Sequence, residues 1–446
     1  MYSDSLQIFG EIPLNGEINS SGAKNAMTKL LVSSMLSDKR CVFYNVPNIK
    51  DVEITLDLCS QIGMEIDWDK EKKIISVITK TIKNTFIPQR FSGANRIPIL
   101  LIGALLGRTQ ESIVVPALGG DELGARPVNF HVSSFKKLGA EVEFTNNEYI
   151  ANSKNGLKGA LIILDYPSVG TTENTILSSI RAKGKTVIKN AAMEPEIIDI
   201  ILFLQKLGAN ISIDTDRTIT IEETQNFNEV EHFVLPDRNE IVSYALAAIA
   251  TKGKIFIKGA EHLHLITFLN KLREVGANFN VKKDGIEFFY KNLLKGSLHI
   301  ETDVHPGFMT DWQQPFVVLL TQTKGISVIH ETVYENRFGY IHTLNRMGAD
   351  IDLFSQCLGS AKCRFNSLNH KHSVVVKGAT KLVGKNIFIP DLRAGFAYVM
   401  AGLIAEGETI IHGAPFLDRG YDTFLEKLQS LGANISRKTI KTNVNV

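Results

Sequence analysis

The chain is poor in cysteine and tryptophan: its 446 residues include four cysteines and two tryptophans. Cys41, Cys59, Cys357 and Cys363 are too few and too scattered for a disulfide framework. Cys357 and Cys363 are separated by five residues instead of forming a C-x-x-C pair, and no cysteine stands beside a histidine at metal-ligand spacing. The sequence therefore reads as four free, mostly buried thiols in a reducing compartment, with no metal site. Charge of one sign is also lacking. Lys and Arg number 49 against 47 Asp and Glu, a net charge of +2, whereas a nucleic-acid binder carries a basic excess. Long apolar runs are missing too, and the longest candidates, such as residues 97–106, fall short of a membrane span. The first seven residues have neither a basic n-region nor an apolar h-region. A cytoplasmic protein with no nucleic-acid or membrane partner is expected. No G-x-G-x-x-G follows a predicted strand and opens a helix, so nothing supports a dehydrogenase.

What is present is repetition. At this length two or more domains are expected, and 44% hydrophobic with 22% charged residues is an ordinary globular composition. Six helix-like segments end in Gln61-Ile62-Gly63, Lys137-Leu138-Gly139, Lys206-Leu207-Gly208, Glu274-Val275-Gly276, Arg346-Met347-Gly348 and Ser430-Leu431-Gly432. Each glycine stands where a left-handed helix cap belongs, and the spacing of roughly seventy residues suits a supersecondary unit better than a solenoid repeat. Every unit also holds an apolar helix, at 26–36, 97–106, 175–182, 241–250, 314–321 and 396–405. These are apolar almost all round and should be buried. A β-branched strand follows each, at 41–44, 112–115, 186–189, 254–258, 326–330 and 409–412. The partner helices, such as 198–207 and 423–431, alternate apolar and charged residues and are expected to face solvent. Six strand-helix units make an α/β protein.

Charge gathers before the apolar helices, where helix N-termini favour anions. The loops read Ser21-Gly22-Ala23-Lys24-Asn25, Gly93-Ala94-Asn95-Arg96, Ser168-Val169-Gly170-Thr171-Thr172, Leu235-Pro236-Asp237-Arg238, Met309-Thr310-Asp311 and Pro390-Asp391-Leu392-Arg393. A second set holds Asp121 with Arg126, Glu194 with Glu196, Glu335 with Arg337, and Asp418 with Arg419. The loop 117–129 carries three glycines in six residues, a mobile Asp121 and the planar fork of Arg126, which suits phosphate or carboxylate. For any one loop the plainer reading is a surface turn, an N-cap or a solvated ion pair. Taken together, six charged helix starts point to a cationic cleft for a polyanionic substrate, with carboxylates placed to move protons.

These motifs, with Gly124-Ala125-Arg126-Pro127 and Asp418-Arg419-Gly420-Tyr421, resemble the UDP-N-acetylglucosamine enolpyruvyl transferase family, in order, over residues 6–436. The Ser-Gly-Ala-Lys-Asn run favours this branch over the sister family that makes enolpyruvyl-shikimate phosphate. The resemblance implies a two-domain inside-out α/β barrel of six repeated strand-helix units. Residues 23–235 would form one domain with the active-site loop, and 1–22 with 236–446 the other, closing over the substrates. It implies transfer of the enolpyruvyl group of phosphoenolpyruvate to the 3-hydroxyl of UDP-N-acetylglucosamine, releasing phosphate, the first committed step of peptidoglycan synthesis. No metal or organic cofactor would be needed. Lys24, Asn25, Arg96, Arg126, Arg337, Arg393 and Arg419 would hold phosphoenolpyruvate. Arg96, Arg126, Pro127, Val128, Asn129, Ser168, Val169, Gly170, Asp311, Val333 and Glu335 would hold the UDP-sugar. Asp121, Lys24, Asp311, Asp391 and Arg419 would carry the chemistry, with Asp311 as base at the sugar hydroxyl.

Two departures stand out. Asp121 occupies the place of the family's loop cysteine, which implies resistance to fosfomycin, since a carboxylate is a weaker nucleophile than the thiolate that drug alkylates. Asn129 stands at a usually acidic place, and Tyr166-Pro167 precede Ser168. These leave open transfer to a different UDP-sugar or nucleotide, and a silent paralogue that binds UDP-sugars is a further alternative. The polar stretch 356–371 reads as a surface hairpin without function.

Overall fold

A computed structural model describes residues 2–93, 95–119, 128–360 and 362–441. By their internal contacts these form two compact units. Residues 22–119 and 128–235 make the mid-chain unit, and residues 2–21 with 236–441 make the split unit.

Each unit contains three sheets of one pattern. The strand after each apolar helix sits inside its sheet, parallel to one neighbour and antiparallel to the other. In the split unit Lys254–Lys258 runs parallel to Asn15–Asn19 and antiparallel to Gly285–Phe289, which carries Asn278–Lys282 on its far side. Gly325–His330 is likewise parallel to His299–Glu301 and antiparallel to Ser373–Gly378, beyond which lies Ile351–Phe354. Glu408–His412 pairs with Asn386–Phe388 and with the N-terminal strand Tyr2–Phe9, which pairs in turn with Asn434–Lys441. The split unit is therefore built from both ends of the chain. In the mid-chain unit Cys41–Tyr44 takes its parallel neighbour from Val230–Phe233, at the far end of that segment. Lys185–Lys189 lies between Leu161–Ile163 and Ile219–Glu222. The remaining sheet, Ile113–Pro116 with Glu148–Asn152 and Glu141–Thr145, has three strands, and the single bridge Phe86–Val114 marks the place of a fourth.

The helices Lys24–Ser34, Pro98–Leu105, Val169–Ser179, Arg238–Ala250, Gln313–Leu320 and Leu392–Ile404 form the centres of the two units. Every residue of Pro98–Leu105, Arg238–Ala250 and Gln313–Leu320 is buried, as a helix apolar all round requires. The sheets lie outside them, one face in and one out. In Lys254–Lys258 the two isoleucines are buried while the terminal lysines are exposed. Helices inside and sheets outside reverse the usual α/β layering. The helix-terminating glycines Gly63, Gly139, Gly208, Gly276, Gly348 and Gly432 all have positive φ, from +82° to +122°.

Three expectations need correction. The helix expected at 175–182 is Val169–Ser179, which starts earlier, at its cap Ser168. Its first turns, Thr171, Thr172, Glu173 and Asn174, are buried although polar, so an apolar pattern could not mark them. The partner helix Pro195–Leu207 is largely buried instead of facing solvent, with Glu196 and Asp199 inside it. The thiols also divide. Cys41 and Cys59 are buried, and burial pushes both up to about 12, whereas Cys357 and Cys363 are half-buried and 3.5 Å apart. Among the described residues no helix is long and apolar enough to cross a membrane.

Burying polar groups in the mid-chain helices has a measurable consequence. Glu173 lies wholly inside, 4.0 Å from Lys29. Burial pushes its carboxyl up to about 7, Lys29 opposes the shift, and Glu196 and Glu194 add to it. Below pH 4.5 the group is protonated folded or unfolded. As pH rises toward 7 only the unfolded chain releases the proton, so the folded state loses stability, and the full penalty stands above pH 7. Glu173→Gln removes this term. The variant should gain on the order of 3 kcal/mol relative to the native chain between pH 5 and pH 8. Urea unfolding at the two pH values reads the gain, and an equal difference at both would contradict it. The glycine caps give a second expectation. Gly208→Ala puts a methyl group 2.8 Å from the Asn226 carbonyl at φ +115°, whereas at Gly432 (φ +94°) nothing lies within 4 Å. Gly432→Ala should cost about 1–2 kcal/mol from backbone strain alone, and Gly208→Ala clearly more, by the same denaturation.

Candidate active site

In the split unit three segments converge on one carboxylate. Asp311 lies in the 3-10 turn Thr310–Trp312 that leads into the buried helix Gln313–Leu320. Arg337 donates from Nη2 to its Oδ1 at 2.5 Å, and Arg393 donates from Nε to its Oδ2 at 3.2 Å. Both arginine side chains are buried and Asp311 is nearly so. Burial works against the charge of Arg337, but Asp311, then Asp391 and Glu331, outweigh it and hold its pKa above the ordinary value. Arg393 behaves alike, with burial overcome by Asp311 first. With its amide oxygen turned inward, Gln314 accepts from Arg337 Nε at 2.7 Å. The guanidinium of Arg393 also lies 5.7 Å from the centre of the Tyr421 ring.

The segment that delivers Arg337 is fixed by Glu331, at the end of the strand Gly325–His330. One carboxylate oxygen of Glu331 accepts from the backbone N–H groups of Val333 (2.8 Å) and Tyr334 (3.2 Å). The other accepts from the Thr310 hydroxyl at 2.9 Å, beside Asp311. Burial raises the pKa of Glu331, and Arg337 opposes the rise. Val333 and Glu335 occupy this half-buried segment. Asp391 is the N-cap of Leu392–Ile404, its Oδ1 accepting from the N–H groups of Arg393 (2.9 Å) and Ala394 (3.1 Å). That bond set is a capping role. Arg419 follows the short helix Pro415–Asp418 and is half-buried. Asp418 instead joins Asp4 on Arg437.

In the mid-chain unit Lys24 opens the first central helix, and its ammonium lies 2.8 Å from Asp51 Oδ2, in the first turn of Lys50–Ile62. Asn25 follows it, and its carbonyl accepts from Lys29. Ser168 caps Val169–Ser179, and its hydroxyl accepts from the Thr171 N–H at 3.4 Å, with Val169 and Gly170 forming the helix start. A side chain at Gly170 would meet the His131 ring at 3.3 Å. His131 is buried in the helix Asn129–Lys137, and Asn174 bridges it at 3.0 Å to the carbonyl of Ile99 at 2.9 Å. Burial, with the nearby charge of Arg96, drives the His131 pKa down to about 3, so the ring is neutral. The start of the Asn129 helix and the Ser168–Gly170 turn are thereby brought together. Val128 precedes that helix, and Asn129 is exposed. Asp121, Arg126 and Pro127 lie outside the described residues. The loop's beginning is described. Gly119 approaches Gly93 so closely that a Cβ would fall 2.1 Å from its carbonyl oxygen.

Within the split unit the expected Asp311, Arg337 and Arg393 are brought together. The residues that hold the expected ones in place escaped sequence reading. Asp51 and Glu331 follow ordinary turns and strand ends, and nothing local distinguishes them from solvated carboxylates. Gln314 and Asn174 sit inside helix patterns.

The family model for EPSP synthase (3-phosphoshikimate 1-carboxyvinyltransferase) matches residues 9–428. The chain is 63% identical over 445 residues to the UDP-N-acetylglucosamine 1-carboxyvinyltransferase of Protochlamydia amoebophila, covering 99% of this chain and 96% of that one. It is 53% identical over 431 residues to the protein of the same name from Chlamydia muridarum, covering 96% and 98%. Among solved structures it resembles the enolpyruvyl transferase NikO from Streptomyces tendae, with a TM-score of 0.88 at 20% identity, covering 99% and 100%, a likeness of fold. With a family match and close relatives spanning almost its whole length, the chain belongs to the enolpyruvyl (1-carboxyvinyl) transferase family.

Proposed function

We propose that this chain transfers the enolpyruvyl group of phosphoenolpyruvate to the 3-hydroxyl of UDP-N-acetylglucosamine and releases phosphate, the committing step of peptidoglycan synthesis. The observation that carries this reading is 63% identity over nearly the full length to a relative of that name. The chemistry of the two units supports it.

Phosphoenolpyruvate is a small, dense anion, and Lys24, Asn25, Arg96, Arg126, Arg337, Arg393 and Arg419 are the groups proposed to hold its phosphate and carboxylate. Guanidinium groups already fixed by carboxylates need little rearrangement to meet a substrate charge. The uridine and diphosphate are assigned to Arg96, Arg126, Pro127, Val128, Asn129 and the Ser168–Gly170 turn, and the sugar to Asp311, Val333 and Glu335. In the first step the sugar oxygen bonds to C2 of phosphoenolpyruvate. Its proton passes to Asp311 while the vinyl methylene gains a proton from Asp121, giving a tetrahedral ketal. In the second step the C2–phosphate bond breaks, phosphate leaves, and the methyl group returns a proton, regenerating the vinyl ether. Asp391 is assigned a part in proton traffic as a second carboxylate, and Lys24 and Arg419 stabilise the departing phosphate.

Phosphate release with phosphoenolpyruvate and UDP-N-acetylglucosamine tests the reading, against a panel of other UDP-sugars and nucleotides. Preference for another acceptor, or no release with any, would overturn it. Asp311→Asn should lower kcat by about 10²–10⁴-fold, the usual contribution of a positioned base, and a variant of near-native kcat would remove Asp311 from the mechanism. Native chain should remain unlabelled by fosfomycin, while Asp121→Cys should take up one molecule of the drug by intact-mass measurement. Labelling of the native loop would contradict the role given to Asp121.

A further inference from the structure

The hairpin that joins the strands Ile351–Phe354 and Ser373–Gly378 is more than a surface loop. Strand register accounts for what it gathers. His330 pairs with Ser373 across the ladder, and Phe354 pairs with Ser373 from the other side. The loop therefore leaves and re-enters the sheet beside His330, and its own Cys357, Cys363 and His372 fold back over that histidine. One ligand-type atom from each of His330, Cys357, Cys363 and His372 lies within 4.8 Å of all the others. The Cys357 and Cys363 sulfurs are 3.5 Å apart, and Cys357 Sγ lies 3.3 Å from His372 Nε2. Tetrahedral zinc with Zn–S near 2.3 Å and Zn–N near 2.0 Å has S–S edges of about 3.8 Å and S–N edges of about 3.5 Å. The observed separations fall within a few tenths of an ångström of those edges.

The surroundings are those of a metal centre. His372 Nδ1 lies 2.9 Å from the carbonyl of His370, which fixes the N–H on that side and turns the Nε2 lone pair toward Cys357. His330 is fully buried, and its Nε2 makes no hydrogen bond, which is costly for a polar ring in a protein interior. Its Nδ1 lies 3.4 Å from Glu301 Oε2, the carboxylate–histidine arrangement that orients a ligating imidazole. Cys363 Sγ accepts the N–H of Phe365 at 3.3 Å, a bond that favours the thiolate, and the Phe365 ring packs on His372. Ser360 N–H in turn holds Glu301 Oε2 at 2.8 Å.

We infer that Cys357, Cys363, His330 and His372 form a structural Cys₂His₂ zinc site that closes this hairpin onto the sheet. All four positions are filled by protein, so the site has no open coordination for chemistry. Binding would release the two thiol protons to solvent and leave both imidazoles neutral, so a divalent ion gives a core of no net charge. The site also has a mechanical reach. Glu331, next to His330, donates its backbone N–H to the His372 carbonyl at 2.8 Å, and Arg364 of the hairpin donates to the Val333 carbonyl. The metal site would thereby brace the segment that delivers Arg337. The assignment stands independently of which acceptor the enzyme uses.

The test is metal analysis of the full-length chain purified under reducing conditions without affinity metals. It should carry about one zinc per chain, falling below about a tenth in Cys363→Ser and in His372→Ala. Cobalt(II) added to chelator-stripped native chain should give the intense visible bands of a tetrahedral thiolate site, which needs no variant to fold. Removing the metal should lower the Tm, and returning zinc should restore it. Native chain with no zinc and no tetrahedral cobalt spectrum would overturn the inference. So would a Cys357–Cys363 disulfide, seen as two thiols missing from a non-reducing titration.

Discussion

The arrangement depends on a single constraint: helices buried on every side bring their charged starts into the interior with them. A lone charge moved there loses several kcal/mol of hydration, so each must be met by an opposite charge or a bond. Asp311 meets Arg337 and Arg393, and Lys24 meets Asp51. Such pairs add little net stability, since desolvation offsets most of the attraction, but removing one partner leaves a buried charge and costs about 3–5 kcal/mol. What they contribute is position. A guanidinium bonded to a fixed carboxylate points one way, and pre-arranged charge is the main resource of a reaction in which an enolpyruvyl carbon and a leaving phosphate carry the developing charge.

The glycine stops and the strands after the apolar helices are where sequence and structure agree best, for a physical reason. An apolar helix, the strand that follows it and the glycine stop of the partner helix are each encoded within a dozen residues. The strand Cys41–Tyr44 and the positive-φ Gly208 therefore appear where local pattern puts them. The helix Val169–Ser179 shows where that legibility ends. Its first turns are Thr, Glu and Asn, yet they are buried: Asn174 bonds to neighbouring helices instead of to water, and Glu173 faces Lys29 at 4.0 Å. A polar residue satisfied by a tertiary partner looks like a solvated one until the partner is known. The same limit hid Asp51 and Glu331, and it placed the charged helix Pro195–Leu207 at the surface when it lies largely inside.

Asp391 marks a different boundary. From sequence, an aspartate before a helix reads equally as a cap and as a catalytic group, and the structure shows its Oδ1 on two backbone N–H groups. Asp311 sits in the corresponding place one repeat earlier, but Met309 occupies its cap position and both of its oxygens face arginines. Repeats of one architecture thus give the same residue type two uses. The difference is set by whether the first turn is an α-helix that needs capping or a 3-10 turn that leaves the side chain directed inward.

Cysteine and histidine spacing fails as a guide at the hairpin for a reason that concerns topology. Linear metal motifs are recognisable because one turn or knuckle supplies neighbouring ligands. Here both histidines are supplied by sheet register: His330 ends one strand, and His372 immediately precedes the antiparallel strand opposite it. Their separation in sequence is the length of everything between those strands, and it carries no information about their distance in space. The cysteines are then placed by the loop that this register forces to fold back on itself. The same pairing puts Glu331 against the His372 backbone, so the residue that positions Arg337 and the residues that gather sulfur and imidazole are consequences of one ladder.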